Sequence, residues 1–256
     1  MMSIRVITVG IGGAPSAGKS TLAKQLSAVL PNCTVVHQGD YWSNPEACVI
    51  HPLYNEPDLE DPPTAINWPL FRARVRQLKA GTNFSDASKW AEESNSDSSH
   101  DTTSFNTAGV DHPKPLASFQ TIWWWKYRSQ GIQLKWCIVE GWHLYYDPEV
   151  AEALDLRLLI RCPSNVLKGG KGKRGYKQKD GSFWADPPYY WDDFSYPAYV
   201  RSHSHLFHGE METGPLSAEA ESAGVVLLEG VGTRQNLSCS ELFQHAADSI
   251  LLISRK

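Results

Sequence analysis

Three successive runs decide the architecture: Ile4-Arg5-Val6-Ile7-Thr8-Val9-Gly10, Gly13-Ala14-Pro15-Ser16-Ala17-Gly18-Lys19-Ser20, and Thr21-Leu22-Ala23-Lys24-Gln25-Leu26-Ser27-Ala28-Val29-Leu30. The first is rich in β-branched residues and apolar on both faces, as a strand inside a parallel sheet is. The third places Leu22, Leu26, Val29 and Leu30 at helical spacing and stops at Pro31-Asn32. Between them stands G-x-x-x-x-G-K-[ST], a pattern of high specificity when a strand precedes it and a helix follows. Its glycines let successive backbone N–H groups turn inward around phosphates, at the positive end of the helix. Lys19 is expected to reach the β- and γ-phosphates of ATP, and the Ser20 hydroxyl to ligate Mg²⁺. Gly13, Ala14, Pro15, Ser16, Ala17, Gly18, Lys19, Ser20 and Thr21 together form the expected cradle.

Outward from this core, Cys33-Thr34-Val35-Val36-His37 reads as a second strand and completes a strand–loop–helix–strand unit. Residues 133–139 give a third strand ending at Glu140-Gly141. Residues 154–160 give a fourth, and 225–228 a fifth, followed by Glu229-Gly230-Val231-Gly232-Thr233. Residues 67–78 and about 240–254 read as helices. No internal repeat is present. The fold class is α/β: a single doubly wound parallel sheet of about five strands flanked by helices, of the P-loop kinase type with a lid. One domain spans 1–256, with the lid at about 165–190. Residues 43–63 read as a loop over the site. Residues 92–115 read as a mobile polar insertion, since Ser94 to Ser104 is almost free of apolar side chains.

Composition excludes several classes. Hydrophobic residues at 41% and charged ones at 20% rule out a wholly disordered chain. A net charge of −4 gives no general footprint for nucleic acid or an anionic membrane. The five cysteines are scattered without a C-x-x-C pair and read as thiols of a reducing compartment. No apolar run approaches the ~18 residues that span a bilayer. The short β-branched N-terminal run leads straight into the glycine loop, unlike a signal peptide. These features point to the cytoplasm, with the nucleus also open.

The phosphate loop alone serves kinases, GTPases and motors. The chain has no obvious guanine-specificity motif and is too short for most motor machinery, which leaves a small-molecule kinase. Glu140 stands where an acidic strand-end residue orients Mg²⁺-bound water, or else is a solvated glutamate before Gly141. His203, His205 and His208 do not share one helical face. Trp123-Trp124-Trp125 reads as a packing cluster ahead of the third strand.

Further segments join the loop: His37-Gln38-Gly39-Asp40-Tyr41, Asp61-Pro62-Pro63, Val139-Glu140-Gly141-Trp142, Asp155 to Arg161, Gly175-Tyr176, and above all Ser182-Phe183-Trp184-Ala185-Asp186-Pro187-Pro188-Tyr189-Tyr190-Trp191-Asp192. With them the chain resembles nicotinamide riboside kinases, the fungal members most closely, within the uridine kinase-like group of P-loop kinases. The likeness covers most of the chain outside 92–115. It implies ATP-dependent phosphorylation of the ribose 5′-hydroxyl of nicotinamide riboside and nicotinic acid riboside, to the mononucleotide for NAD synthesis. A small-molecule nucleoside is then the partner, with neither nucleic acid nor membrane, and the chain a monomer or weak homodimer.

The resemblance also implies site residues. Asp40 would act as base and help hold Mg²⁺ with Ser20 and Glu140, while Lys19 serves the transfer. Tyr41, Glu60, Asp61, Tyr176 and Asp192 would line the riboside, Asp61 on the 2′- and 3′-hydroxyls and Tyr176 stacked on the pyridinium. Asp61 reads equally well as the N-cap of a helix starting near Thr64. Arg174 and the loop Gly232-Thr233-Arg234 would border the nucleotide. Two departures stand out. The family usually has two acidic residues in a row, the first functional, where this chain has Gly39-Asp40. Its arginine-rich lid is replaced by Lys168-Gly169-Gly170-Lys171-Gly172-Lys173-Arg174, whose glycines weaken a helix by ~1 kcal/mol each and predict a looser lid with impaired turnover. Alternatives are a uridine- or pantothenate-type kinase, or a nucleotide-binding homologue without turnover.

Overall fold

The computed structural model describes residues 3–82, 127–172, 176–177 and 183–254. The expected insertion at 92–115, Trp123 to Trp125 and Arg174 lie outside the described residues. The elements are β1 (Ser3–Gly13), α1 (Lys19–Val29), β2 (Cys33–His37), α2 (Trp68–Lys79), β3 (Ile132–Gly141), α3 (Pro148–Glu152), β4 (Leu156–Arg161), α4 (Ser164–Lys171), β5 (Tyr176–Lys177), β6 (Phe183–Trp184), α5 (Tyr196–His203), α6 (Ala218–Ser222), β7 (Val225–Glu229) and α7 (Cys239–Ser254). Five strands form one parallel sheet in the order β2-β3-β1-β4-β7, and β5 pairs with β6 in a separate antiparallel ribbon.

The sheet is buried on both faces because its strands carry apolar residues at odd and even positions alike. On one face Ile7, Val9, Ile11, Ile138 and Leu158 pack with Leu22 and Leu26 of α1 and Phe243 and Ile250 of α7. On the other, Val36, Val139 and Leu159 pack with Phe71, Val75 and Leu78 of α2, Val150 of α3 and Ala220 of α6. Each fully buried aliphatic side chain contributes about 1.5–3 kcal/mol. The five expected strands, the parallel order and the flanking helices are all present.

Three local expectations change. The first strand runs on to Gly13, since β4 pairs with it as far as Ile160. The helix read over 67–78 starts at Trp68, where Asn67 Oδ1 accepts the Leu70 N–H at 3.2 Å, so the alternative start near Thr64 with Asp61 as its cap is not the one formed. Asp61 and Pro62 each precede a proline, which disfavours helical backbone there, so 61–65 forms a turn in which Asp61 Oδ2 accepts the Thr64 hydroxyl at 2.7 Å. The basic run is also different: Ser164–Lys171 is a helix despite Gly169 and Gly170.

Candidate active site

Gly13 has φ 147°, and a Cβ there would come 2.7 Å from the Ile160 carbonyl of the adjacent strand. Only glycine lets the chain leave the sheet at this point. Ser16 at φ 68° and Gly18 at φ 93° complete a loop turned by left-handed residues, and Gly18 leads into α1. Lys19 is buried, its Nζ donating to the Ala14 carbonyl at 2.9 Å, so the ammonium folds back over the loop. The Ser16 Oγ is buried inside the same loop and has no hydrogen-bond partner among the described residues.

The Ser20 hydroxyl, at the start of α1, donates to Glu140 Oε1 at 3.0 Å. Glu140 is buried on the penultimate residue of β3, and the register of β2 on β3 places His37 opposite it. His37 Nδ1 is 2.7 Å from the same Oε1. Burial pushes the Glu140 carboxyl up, but the His37 and Ser20 hydrogen bonds and the Lys19 charge outweigh it, and the net pKa lies below the ordinary value. The carboxylate is therefore an acceptor, and His37 Nδ1 carries the hydrogen in this contact.

The residues fit the group that the motif implies. An inward-turned main chain, a buried ammonium and an orphaned hydroxyl inside the loop suit phosphate oxygens. A serine oxygen beside an ionised carboxylate suits a hard divalent cation that keeps some of its waters.

On the acceptor side, Asp40 is half-buried in the 3₁₀ turn Gln38–Tyr41. Tyr41, expected on the riboside, belongs to the core instead: it is buried against Phe71, ring centroids 5.1 Å apart, and burial pushes its phenol up to about 12. Its position after the turn points it beneath the sheet-covering helix α2. Asp61 is only slightly exposed, with Arg201 Nη2 at 3.6 Å from Oδ1, while the same nitrogen lies 3.7 Å from Asp58 Oδ2. Glu60 is buried and bonded to Lys171, described below. Asp192 pairs on the surface with Lys168 at 2.5 Å and is more than half exposed. Tyr176 begins β5, and its side chain lies outside the described residues.

After β7, the Gly232 N–H donates to Asn236 Oδ1 at 2.8 Å and the Thr233 hydroxyl to the Gly230 carbonyl at 2.7 Å, with Arg234 exposed. This closed loop lies against Pro163 and Val166 at the start of α4.

Four site neighbours escaped the sequence reading. His37 could have been found by aligning the ends of the second and third strands. Gln38 is buried and accepts the His143 N–H at 2.9 Å. His143 is fully buried, with Nε2 2.8 Å from the Glu60 carbonyl and Nδ1 2.9 Å from Ser202 Oγ. A carbonyl can only accept, so Nε2 holds the hydrogen, and burial pulls the His143 pKa down to about 3. Lys171 sat in the basic run read as a looser lid, with no role of its own assigned.

No protein-family model matches the chain. It is 33% identical over 202 residues to the nicotinamide riboside kinase of Eremothecium gossypii, covering 78% of this chain and 77% of that protein. It is 30% identical over 214 residues to the nicotinamide riboside kinase of Saccharomyces cerevisiae, covering 83% and 84%. The corresponding protein of Schizosaccharomyces pombe is 26% identical over 216 residues, covering 84% and 86%. The chain belongs to the nicotinamide riboside kinase family. Membership makes it a phosphotransferase with an alcohol acceptor. Within the site the Ser20 hydroxyl is bonded to Glu140, and the nearby Lys19 charge helps to lower the Glu140 pKa. Among the described residues no helix is long and apolar enough to cross a membrane.

Proposed function

We propose that this chain transfers the γ-phosphoryl group of ATP to the ribose 5′-hydroxyl of nicotinamide riboside, and of nicotinic acid riboside. The observation that carries the reading is the Lys19–Ser20–Glu140 group, with the Ser20 hydroxyl 3.0 Å from an ionised, buried carboxylate. ATP with Mg²⁺ supplies the transferable phosphoryl group and neutralises its charge.

The chain's own residues divide the remaining work. The phosphate-loop amides and Lys19 hold the triphosphate in line. Glu140, fixed by His37, keeps Ser20 and the cation waters oriented. Asp40, the one acidic side chain of the turn 38–41, takes the proton of the 5′-hydroxyl as its oxygen bonds to the γ-phosphorus and the bond from that phosphorus to the departing ADP oxygen breaks. Asp61 accepts hydrogen bonds from the 2′- and 3′-hydroxyls, since a carboxylate matches a vicinal diol. Backbone contacts from 232–234 border the base of the nucleotide.

The test is a coupled ADP-release assay on the purified chain. Nicotinamide riboside, nicotinic acid riboside, uridine and pantothenate are offered with ATP·Mg²⁺. The ribosides of nicotinamide and nicotinic acid should be phosphorylated, and Lys19→Ala should lose nucleotide binding or turnover. Tight ATP binding with no transfer to any acceptor would overturn the catalytic reading, and preference for uridine or pantothenate would overturn the substrate.

A further inference from the structure

Gly170 and Lys171 are adjacent in α4, and they touch two different parts of the site. Gly170 lies on the phosphate loop: a Cβ there would stand 2.9 Å from the Ser16 Cβ. The helix can approach the loop this closely because the position is glycine. The next residue, Lys171, turns the other way and is buried, only 5% exposed. Its Nζ is 2.8 Å from Glu60 Oε1 and 3.2 Å from Asp186 Oδ2, and it also donates to the Ser195 hydroxyl. The ammonium stands 4.7 Å from the centroid of the Tyr190 ring.

Glu60 is held at every polar group. Its N–H donates to Asp58 Oδ1 at 3.0 Å, and its carbonyl accepts from His143 Nε2 at 2.8 Å. Its carboxylate accepts from Lys171 at 2.8 Å and from the Ser195 hydroxyl at 2.8 Å. Asp61, the carboxylate assigned to the ribose diol, is the following residue. The same loop is fastened again further along: Tyr54 donates to Asp193 and stacks on Tyr189 at 4.2 Å, and His51 stacks on Phe194 at 4.0 Å.

We infer that Glu60 is a positioning residue whose buried ion pair with Lys171 transmits the seating of α4 on the phosphate loop to Asp61, so that nucleotide and riboside bind cooperatively. The path runs Ser16, Gly170, Lys171, Glu60, Asp61 through two covalent neighbours, one close packing contact and one ion pair. Glu60 thereby acts through Lys171 and Asp61 and does not itself contact the riboside. A nucleotide that fixes the loop fixes α4, and α4 fixes the backbone that presents Asp61. The inference rests on the riboside reading proposed above.

Calorimetry on the full chain tests it, with nicotinamide riboside titrated in the absence and presence of ADP·Mg²⁺. ADP should tighten riboside binding by about fivefold or more, the low end of common coupling between sites. Lys171→Met should bring that ratio below about twofold, Lys171→Arg should restore it, and the riboside KM should rise more than kcat falls. Glu60→Gln/Lys171→Met removes both charges of the Glu60–Lys171 pair together, which leaves Asp186, with 14% of its side chain exposed, as the one carboxylate that loses the ammonium, and it should lose the coupling while still taking up ADP. A wild-type ratio near one, an unchanged ratio in Lys171→Met, or a fall in kcat alone would each overturn the latch. If ADP binds and no riboside does, the substrate reading fails separately. The latch is then decided by amide hydrogen exchange at residues 58–61, where ADP should slow exchange in the wild type and not in Lys171→Met. Equal slowing in both, or none in either, overturns it.

Discussion

Lowering the pH from 7 to 5 should cost this fold about 2 kcal/mol through His143 alone. The imidazole is fully buried between the Glu60 carbonyl and Ser202 Oγ, and burial brings its pKa from the ordinary 6.5 down to about 3. In the unfolded chain the ring takes up a proton below 6.5, whereas the folded chain stays neutral until about 3. The unfolded state therefore binds more protons across this window, and stability falls as pH falls. Each pH unit below the unfolded pKa is worth about 1.4 kcal/mol, which over the 1.5 units down to pH 5 gives about 2 kcal/mol. His203, fully buried beside Ser202 with its pKa held well below 6.5 by the same burial, adds to the loss with the same sign. Urea unfolding at the two pH values measures it, and 2 kcal/mol moves the midpoint by roughly 1 M. His143→Gln keeps a donor toward Glu60 but cannot titrate, so its midpoint should move less between pH 7 and 5 by that amount. An equal shift in the variant and the wild type would refute the reasoning, as would an NMR titration of His143 near its ordinary value.

Two further outcomes bear on the chemistry. Glu140→Gln removes the charge that orients Ser20 and the cation waters, so activity at low Mg²⁺ should fall by about 10- to 100-fold, read from a Mg²⁺ titration of turnover; an unaltered Mg²⁺ dependence counts against the role. Gly39→Asp restores a carboxylate in a turn whose backbone is not left-handed there; turnover should rise by up to about 100-fold if Asp40 is only a substitute base, and no gain removes that explanation.

The sheet was legible because its determinants are local. β-Branched runs mark the strands, and helical spacing of Leu22 and Leu26 or Phe71 and Val75 marks the helices that cover it. The placing of Ser20 beside Glu140 was legible for the same reason, since the loop geometry is encoded within eight residues and Glu140 is the penultimate residue of a strand. Tyr41 was misread because a sequence motif does not say which way a side chain leaves a 3₁₀ turn. The role of Lys171 was not legible because its burial depends on Glu60, Asp186 and Ser195, which only the tertiary fold brings together. The cap at Asn67 rather than Asp61 was decided by two consecutive prolines, whose effect on the preceding residue outweighed the capping preference of aspartate.

The two glycine features that the resemblance reads as departures from the family have different physical meanings. The glycines of α4 cost helix propensity, about 1 kcal/mol each in an exposed helix, yet Gly170 sits where any side chain would strike Ser16. Close approach of α4 to the phosphate loop thus depends on the glycine at this position. The buried Lys171 contacts offset the propensity cost by anchoring the last turn. Gly39 shows no comparable compensation, since nothing in the turn 38–41 requires a left-handed backbone there. A glycine that admits a packing contact is expected to resist substitution, and one that admits none is expected to tolerate it. By that argument α4 is built around Gly170, whereas position 39, which the resemblance expects to be acidic, is free to take the carboxylate that the Gly39→Asp variant supplies.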